Sequence, residues 1–498
     1  MALSPARLQV PRITRRGLLI GAALGGGLLV AWGLTPRRFP LPAEPHAGET
    51  AFNAWLRIDE TGLVTVAVPQ LEMGQGVSTV LAQIAAMELG ADWAQVAAEP
   101  APVSGAYANV PLAAKWSPLW LAFGAELGIE APDSGGSRIA RGWAERHRFT
   151  ATADGTALAA YEQPLREAAG AVRTLLMQAA AARWGADWRA CRVSGGVVSH
   201  GQQRARFGEL AADAARYDPP GELPLGPAPA EPPRDAGSAW PRLDLPAKAE
   251  GRALFAGDVR LPGLVYAAIR HAPRGLAARL GAYDAARVGD PRVRLVKGPE
   301  EGPAWLAAVA PSWWLAERAL TRLAPAFKVT GPADSQAIDV RLDKAVRKGR
   351  TYRMGTIGDP EGQIGEHPSL VARYDIAPGL HGGLETATCT VRLRAGQVDL
   401  WLASQAPEPA RRAVAQALGI NPRDVILYPV PAGGSFDARL EHDHAVEAAL
   451  IARAVGKPVQ LIWSRWQEHL AGKPRAPAAA VLWARTAPDD GAVLAWRT

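Results

Sequence analysis

Twice along this chain an apolar strand runs into a pair of glycines and on toward an apolar helical pattern. The first instance is VTVAVPQLEMGQGVSTVLAQIAAMEL (64–89). The second is VILYPVPAGGSFDARLEHDHAVEAALIARAVG (425–456). A strand that turns directly toward a helix has to lie in a sheet with that helix packed against it, so the chain must build mixed layers, read here as an α+β fold. Glycine at such a turn lets backbone approach a ligand closely. A helix starting there offers free N–H groups and a positive dipole end to an anion. In the first turn Gln75, between Gly74 and Gly76, can donate and accept at once. In the second, Ser435 offers a hydroxyl and Phe436 a flat apolar face beside Gly433 and Gly434. Both turns also read as plain tight turns on local grounds.

The chain has 498 residues, more than one core accommodates, and about three domains are expected at roughly 100–200 residues each. AFNAWLRIDETGLVTVAVPQ (51–70) alternates like two strands around a turn at Glu60–Gly62. Val77, Val80, Leu81, Ile84 and Met87 recur at helical spacing and predict a helix over 77–89. Further helices are expected over 165–184 and 314–324. From about Ser369 strands (VDLWLAS, VILYPV) alternate with helices (PARRAVAQALG, DHAVEAALIARAVG). Residues 218–240 hold many prolines and read as a linker or extended strap, and 331–366 is polar and glycine-rich, a second linker.

WLASQAP (401–407) puts Ser404 and Gln405 at a strand end, where ligands commonly sit in mixed sheets. EHDH (441–444) spaces two histidines two apart, on different faces of a helix, and no third ligand follows at a metal-site spacing, so no metal ligand is assigned. Glu385 in LETATCT reads as an active-site carboxylate or a structural one. Two cysteines, Cys191 and Cys389, are too few for an iron–sulfur cluster, which takes about four. The net charge of +7 comes from scattered arginines without a basic run interleaved with aromatics, so nucleic acid is not an expected partner.

At the N-terminus TRRGLLI (14–20) places Arg15 and Arg16 before a glycine-rich apolar stretch reaching Leu34. That is the layout of a twin-arginine export signal. Its length sits at the short edge of the roughly 17–25 residues of a spanning helix, so it also serves as an N-terminal membrane tether if it is retained. The expected location is the periplasm.

The segments EMGQGVSTVLAQIAAMELGADWAQV, PRLDLPAKAEGRALFAGDVRLPGLVYAAIR, ARYDIAPGLHGGLETATCTV, WLASQAPEPARRAVAQALGI and PAGGSFDARL, in this order, resemble the molybdenum hydroxylases of the xanthine oxidase and aldehyde oxidase superfamily. The order resembles that of isoquinoline 1-oxidoreductase β-subunits and related bacterial aldehyde dehydrogenases. The resemblance implies a twin-arginine segment (1–45), a first part of a molybdopterin-binding domain (46–217), the proline-rich linker (218–240), an a/b hammerhead domain (241–330), the second linker (331–366) and an incomplete second part of the molybdopterin-binding domain (367–498). It implies molybdopterin cytosine dinucleotide as cofactor, held by Met73, Gly74, Gln75 and Gly76, by Thr156, and by Gly433, Gly434, Ser435 and Phe436. It makes Gln405 the catalytic residue beside a molybdenum oxygen. The metal takes its sulfurs from the pterin, in keeping with the few cysteines. Where family members read GGGFG this chain reads GGSFD, with Ser435 and Asp437 replacing two glycines.

The implied activity is hydroxylation of an aldehyde or N-heterocycle, with water as the oxygen source. Electrons would pass to a small [2Fe–2S] subunit and on to a cytochrome c acceptor. The alternative is a cofactor-binding or assembly protein of the same fold without turnover. The resemblance also leads one to expect about two hundred further residues beyond Thr498, carrying the general base, so that the sequence is expected to be truncated.

Overall fold

The computed structural model describes residues 39–42, 44–121, 135–226, 240–349 and 355–498. They form two compact units that interleave along the chain. The first contains the described residues up to Leu254 together with 404–412 and 427–431, and the second contains 255–403, 413–426 and 432–498.

In the first unit β1 (Glu49–Ala51), β2 (Leu56–Asp59), β3 (Val64–Val68) and β4 (Val96–Pro100) form a sheet in that order, and β5 (Arg192–Ser194), β6 (Val197–His200) and β7 (Gln203–Arg206) form a second. The expected turn joins β2 to β3 as an antiparallel pair, and β4 lies parallel to β3. Parallel pairing needs a crossover, and α1 (Val77–Leu89) supplies it with the predicted bounds. It packs on α2 (Ala157–Trp184) through Leu81, Ala85 and Leu89 against Leu165, Val172 and Leu176, all buried.

The helix expected over 165–184 starts eight residues earlier, at Ala157, and runs through Pro164. Pro164 gives up only one backbone donor near the helix start. Tyr161, fully buried against Trp55 and bonded to Gln70 and the Tyr107 carbonyl, holds the first turns in place.

The proline-rich segment behaves as a strap as far as it is described. The Gly226 N–H donates to Glu88 (2.8 Å), Arg166 bonds Glu88 and the Gly226 carbonyl, and Arg173 bonds the Glu88 carbonyl. Residues 227–239 of that segment, 350–354 of the second linker, and Arg15 and Arg16 lie outside the described residues. Among the described residues no helix is long and apolar enough to cross a membrane.

The second unit is built on β8 (Val265–His271), β10 (Arg294–Lys297), β11 (Trp305–Ala310), β14 (Thr388–Arg394), β15 (Gln397–Leu402), β17 (Val459–Ile462) and the first two residues of β16 (Val425–Pro429), with β9 (Gly275–Leu280) pairing separately with β12 (Phe327–Pro332). The large sheet runs in the order β10-β11-β8-β17-β14-β15-β16. Strands from the expected 241–330 domain therefore share one sheet with strands from 367–498. The parallel β8–β17 pair joins them, and Gln460 fastens the join by donating to the carbonyls of Ala256 and Val259 and to the Thr390 hydroxyl.

The helix α3 (Trp313–Leu323) covers β8 and β11, within a residue of expectation. The expected linker 331–366 instead carries α4 (Ser335–Lys348), capped by the Asp334 side chain on the Gln336 N–H. Its apolar positions Ala337, Ile338, Leu342 and Ala345 have helical spacing, which the surrounding polar composition masks. A smaller sheet, β13 (Leu370–Ile376), β18 (Ala478–Thr486) and β19 (Val493–Arg497), completes the unit.

Candidate functional site

The EMGQG turn closes on itself. Glu72 reaches along it, and one carboxylate oxygen accepts the N–H groups of Gly74 (2.9 Å) and Gly76 (3.0 Å). The other accepts the N–H (3.1 Å) and hydroxyl (2.8 Å) of Ser78. Burial pushes this carboxyl upward, but the N–H groups of Gly76, Ser78 and Gly74 and the Ser78 hydroxyl outweigh it and hold it below the usual carboxylate value. Gln75 braces the same turn, accepting the Met73 N–H and donating to the Leu71 carbonyl, each at 2.8 Å.

Gly74 has φ +109 and Gly76, which caps α1, has φ +83, so both need glycine. The N–H groups that were expected to meet phosphate oxygens are thus taken by Glu72, a carboxylate from the same turn. Arg242 crosses the turn, donating to the Gly74 carbonyl (3.1 Å) and pairing with Glu72 and Asp244. Arg242 and Lys248 hold Asp244 down at about 2.

Two other predicted segments meet this turn within the same unit. The Thr152 hydroxyl accepts the Leu71 N–H (2.9 Å). Gln405 and Thr152 are then joined twice: the Gln405 amide donates to the Thr152 carbonyl (2.7 Å), and the Thr152 N–H donates to the Gln405 carbonyl (2.9 Å). Gln405 is completely buried, and Gln70 bonds the Thr150 carbonyl. Thr156 heads α2, with its hydroxyl accepting from Asn109 and donating to the Ala153 carbonyl.

Together these segments wall a cavity of about 380 Å³. Val68, Leu71, Val103 and Val430 give it apolar sides, and Ser78, Thr152 and Ser404 line it with hydroxyls. Lys248 and Arg252 bring cations to it. Glu72, Glu99 and Asp244 line it as well, and Lys248 is paired with Asp244 and Arg252 with Glu250. The apolar walls and hydroxyls suit a flat heterocycle such as a pterin, while the two cations are already matched by carboxylates.

The second turn behaves differently. Gly433 is clasped by Glu385, whose carboxylate accepts its N–H (2.8 Å) and whose own N–H donates to its carbonyl (3.0 Å). A Cβ on Gly433 would come within 2.6 Å of the Glu385 Cβ. The Ser435 hydroxyl accepts the Arg439 N–H (3.1 Å). Phe436 and Asp437 both take left-handed backbone, at φ 52 and 75.

An α-helix does not follow at once. A single 3-10 turn, Ala438–Leu440, intervenes, and α5 (Asp443–Val455) begins only after it. The helix N-terminus expected at this turn is therefore displaced by several residues. The carboxyl of Glu385 is raised by burial, against the pull of the Gly433 N–H and Arg439. Arg439, buried, spends one guanidinium nitrogen on the carbonyls of Glu385 and Thr386.

His442 immediately precedes α5, and His444 is buried inside it and pushed down to about 3 by burial and Arg439, so it is neutral. Among the described residues no group of three or more His, Cys, Asp or Glu side chains is arranged to hold a metal.

Sequence reasoning missed Glu72, Thr152 and Arg242. An acid two residues before a GxG helix start, with Ser78 two residues into the pattern, was a readable capping signal. No local pattern pointed from Arg242 or Thr152 to this turn.

Two models of the molybdopterin cofactor-binding domain match the chain, over residues 21–107 and 344–498. It is 27% identical to the isoquinoline 1-oxidoreductase subunit beta of Brevundimonas diminuta, across 99% of this chain and 64% of that protein. The chain thus carries molybdopterin cofactor-binding domain sequence in two segments, in keeping with its resemblance to the molybdenum hydroxylases. A second relative is the membrane-bound aldehyde dehydrogenase (pyrroloquinoline-quinone) of Gluconacetobacter polyoxogenes. It is 24% identical, across 95% of this chain and 58% of that protein. The chain thus spans less than two thirds of the length of either relative. Among solved structures, quinoline 2-oxidoreductase from Pseudomonas putida 86 overlaps 49% of it and 36% of that chain, at 18% identity and a TM-score of 0.39.

Proposed function

We propose that this chain is the molybdopterin-binding part of an oxidoreductase that hydroxylates an aldehyde or an N-heterocycle, with water as the oxygen source. The observation that carries the reading is the meeting of the EMGQG turn, Thr152 and the Ser404–Gln405 segment around one cavity in the first unit. The cofactor taken is molybdopterin cytosine dinucleotide. Bound there, it supplies the sink for the two electrons that leave the substrate as oxygen is added.

The chain's own residues bind and orient. Ser78, Thr152 and Ser404 offer hydroxyls to the polar edge of the heterocycle. Lys248 and Arg252 would meet its anionic tail by leaving their present carboxylate partners, Asp244 and Glu250, and the apolar walls keep water from the ring. The buried Gln405 amide, fixed on Thr152, sets the position of the strand-end loop that carries Ser404.

Electrons pass on to a separate small [2Fe–2S] subunit and a cytochrome c acceptor, since two buried cysteines cannot bind such a cluster here. The protein works in the periplasm after twin-arginine export, and replacing Arg15 and Arg16 by lysine should keep it in the cytoplasm on cell fractionation.

One observation favours a second reading, a cofactor-binding relative without turnover. The N–H groups of the EMGQG turn are filled by Glu72, and one amide N–H of Gln405 is spent on Thr152. Metal and nucleotide analysis of the protein purified with its partner subunit separates the two, followed by dye reduction with an aldehyde. Molybdenum and released CMP with aldehyde-dependent reduction are expected. Molybdenum without reduction supports the second reading, and no molybdenum overturns both.

A further inference from the structure

Phe436 stands in a conformation that L-residues avoid, and something must hold it there. The residue is 58% exposed, so core packing does not. Its carbonyl oxygen is gripped instead. Nδ1 of His381 lies 2.5 Å from it and a guanidinium nitrogen of Arg475 lies 3.2 Å away. The other ring nitrogen of His381, Nε2, lies 2.9 Å from the Lys473 carbonyl oxygen. Arg475 is itself fixed by donating its backbone N–H to Gly379 (2.8 Å), two residues before His381.

Both nitrogens of His381 therefore face carbonyl oxygens, which only accept. A neutral imidazole carries one N–H, so it can serve one of these contacts and must turn a lone pair toward the other. Only the imidazolium donates to both. The neighbouring carboxylates do not offer His381 a competing partner. In the cavity it lines, Glu385 pairs with Arg439, Glu468 with Arg465, and Glu441 and Asp443 with Lys473. Of the other groups there, His444 is neutral and His469 sits on the facing helix. Arg475 is the one cation on the same carbonyl, and it opposes the second proton on His381 while sharing its task.

We propose that His381 is a positioning residue for Phe436. Protonated, it bridges the Phe436 and Lys473 carbonyls and locks the GGSFD loop with the phenylalanine displayed. Deprotonated, it releases one of them and the loop relaxes. The display of Phe436 thus depends on pH, and is lost when the imidazolium gives up one of its two N–H protons. The inference rests on the loop alone and stands whether or not the cofactor reading is correct.

Fluorine NMR of the full chain with 4-fluorophenylalanine at its eight phenylalanines tests it. The Phe436 resonance is identified by its loss in Phe436→Leu. Between about pH 5 and 9 that resonance should shift along a single titration in the wild type, and the shift should be lost in His381→Gln. Histidine-selective 15N spectra of the unmutated protein give a second measurement. At the acidic end both His381 nitrogens should carry protons, and the titration should coincide with the fluorine shift. A Phe436 resonance that does not move with pH, one that moves equally in His381→Gln, or a His381 that stays neutral throughout would each overturn the proposal.

Discussion

The two glycine turns look alike in sequence and are held by opposite means. The EMGQG turn discharges its strain locally. Its two left-handed residues are glycines, Glu72 fills its free N–H groups, and the chain enters α1 at the next residue. The GGSFD turn keeps its strain. Its left-handed residues include Phe436 and Asp437. Its glycine at 433 is needed for close contact with Glu385 and has no positive φ. Among the groups that restrain it, Glu385, His381 and Arg475 come from distant segments. The first turn satisfies its own N–H groups, although Arg242 and Thr152 also reach it from distant segments. A turn restrained from outside exists only once the surrounding unit is folded.

The largest test of this contrast is Glu72→Ala. It removes the acceptor of three N–H groups and one hydroxyl at the head of α1 and should lower stability by about 2–3 kcal/mol, read from urea unfolding of the full chain. The pH dependence has a definite sign. The folded-state carboxyl titrates below its unfolded value, so its contribution is present above the ordinary carboxylate range. It is lost as pH falls through the lowered folded value. Wild type and Glu72→Ala should converge in stability at the acidic end, and a constant gap at all pH values would break the account.

Next come the paired substitutions Gly433→Ala and Gly74→Ala. At Gly433 the new methyl meets the Glu385 Cβ, and about 1–3 kcal/mol of overpacking is expected. At Gly74 nothing lies within 4 Å of the new methyl, so only the φ of +109 penalises it, by about 1–2 kcal/mol. Glu385→Gly should relieve Gly433→Ala, and no second-site change of that kind should relieve Gly74→Ala. Thermal unfolding of the single and double variants decides it, and equal rescue at both sites would remove the distinction between crowding and dihedral strain.

The smallest effect is Asp437→Gly. Freed from the left-handed penalty, the loop should gain about 0.5 kcal/mol, reduced by the larger entropy of glycine in the unfolded chain. A loss of stability would show that Asp437 contributes more through its contacts than its backbone costs.

Much of the local structure was legible. The 56–68 hairpin, the helix at Val77–Leu89 and the helix at Trp313–Leu323 follow from periodicity, because one face of each is buried and the pattern records it. Two expectations fell short. The helix expected over 165–184 begins at Ala157 and carries Pro164 inside it, where buried Tyr161 fixes the turns before the proline. The polar character of 331–366 hid α4, because that helix buries none of its residues. In the candidate site, the motifs at 72–76 and 404–405 were visible as turns and strand ends, but their meeting through Thr152 was not, since 253 positions separate the partners of that bond.

By itself the sequence determined the elements, the family motifs and the glycine positions, because these depend on neighbours a few residues apart, where propensity and periodicity act. Only the tertiary structure decided that Glu72 takes the helix N–H groups, that Gln405 is spent on Thr152, and that Phe436 is held left-handed by His381 and Arg475. Each of these is a hydrogen bond whose partner is chosen by geometry. A donor takes the nearest well-aligned acceptor that folding brings to it, and several acceptors of equal chemistry are present in the chain.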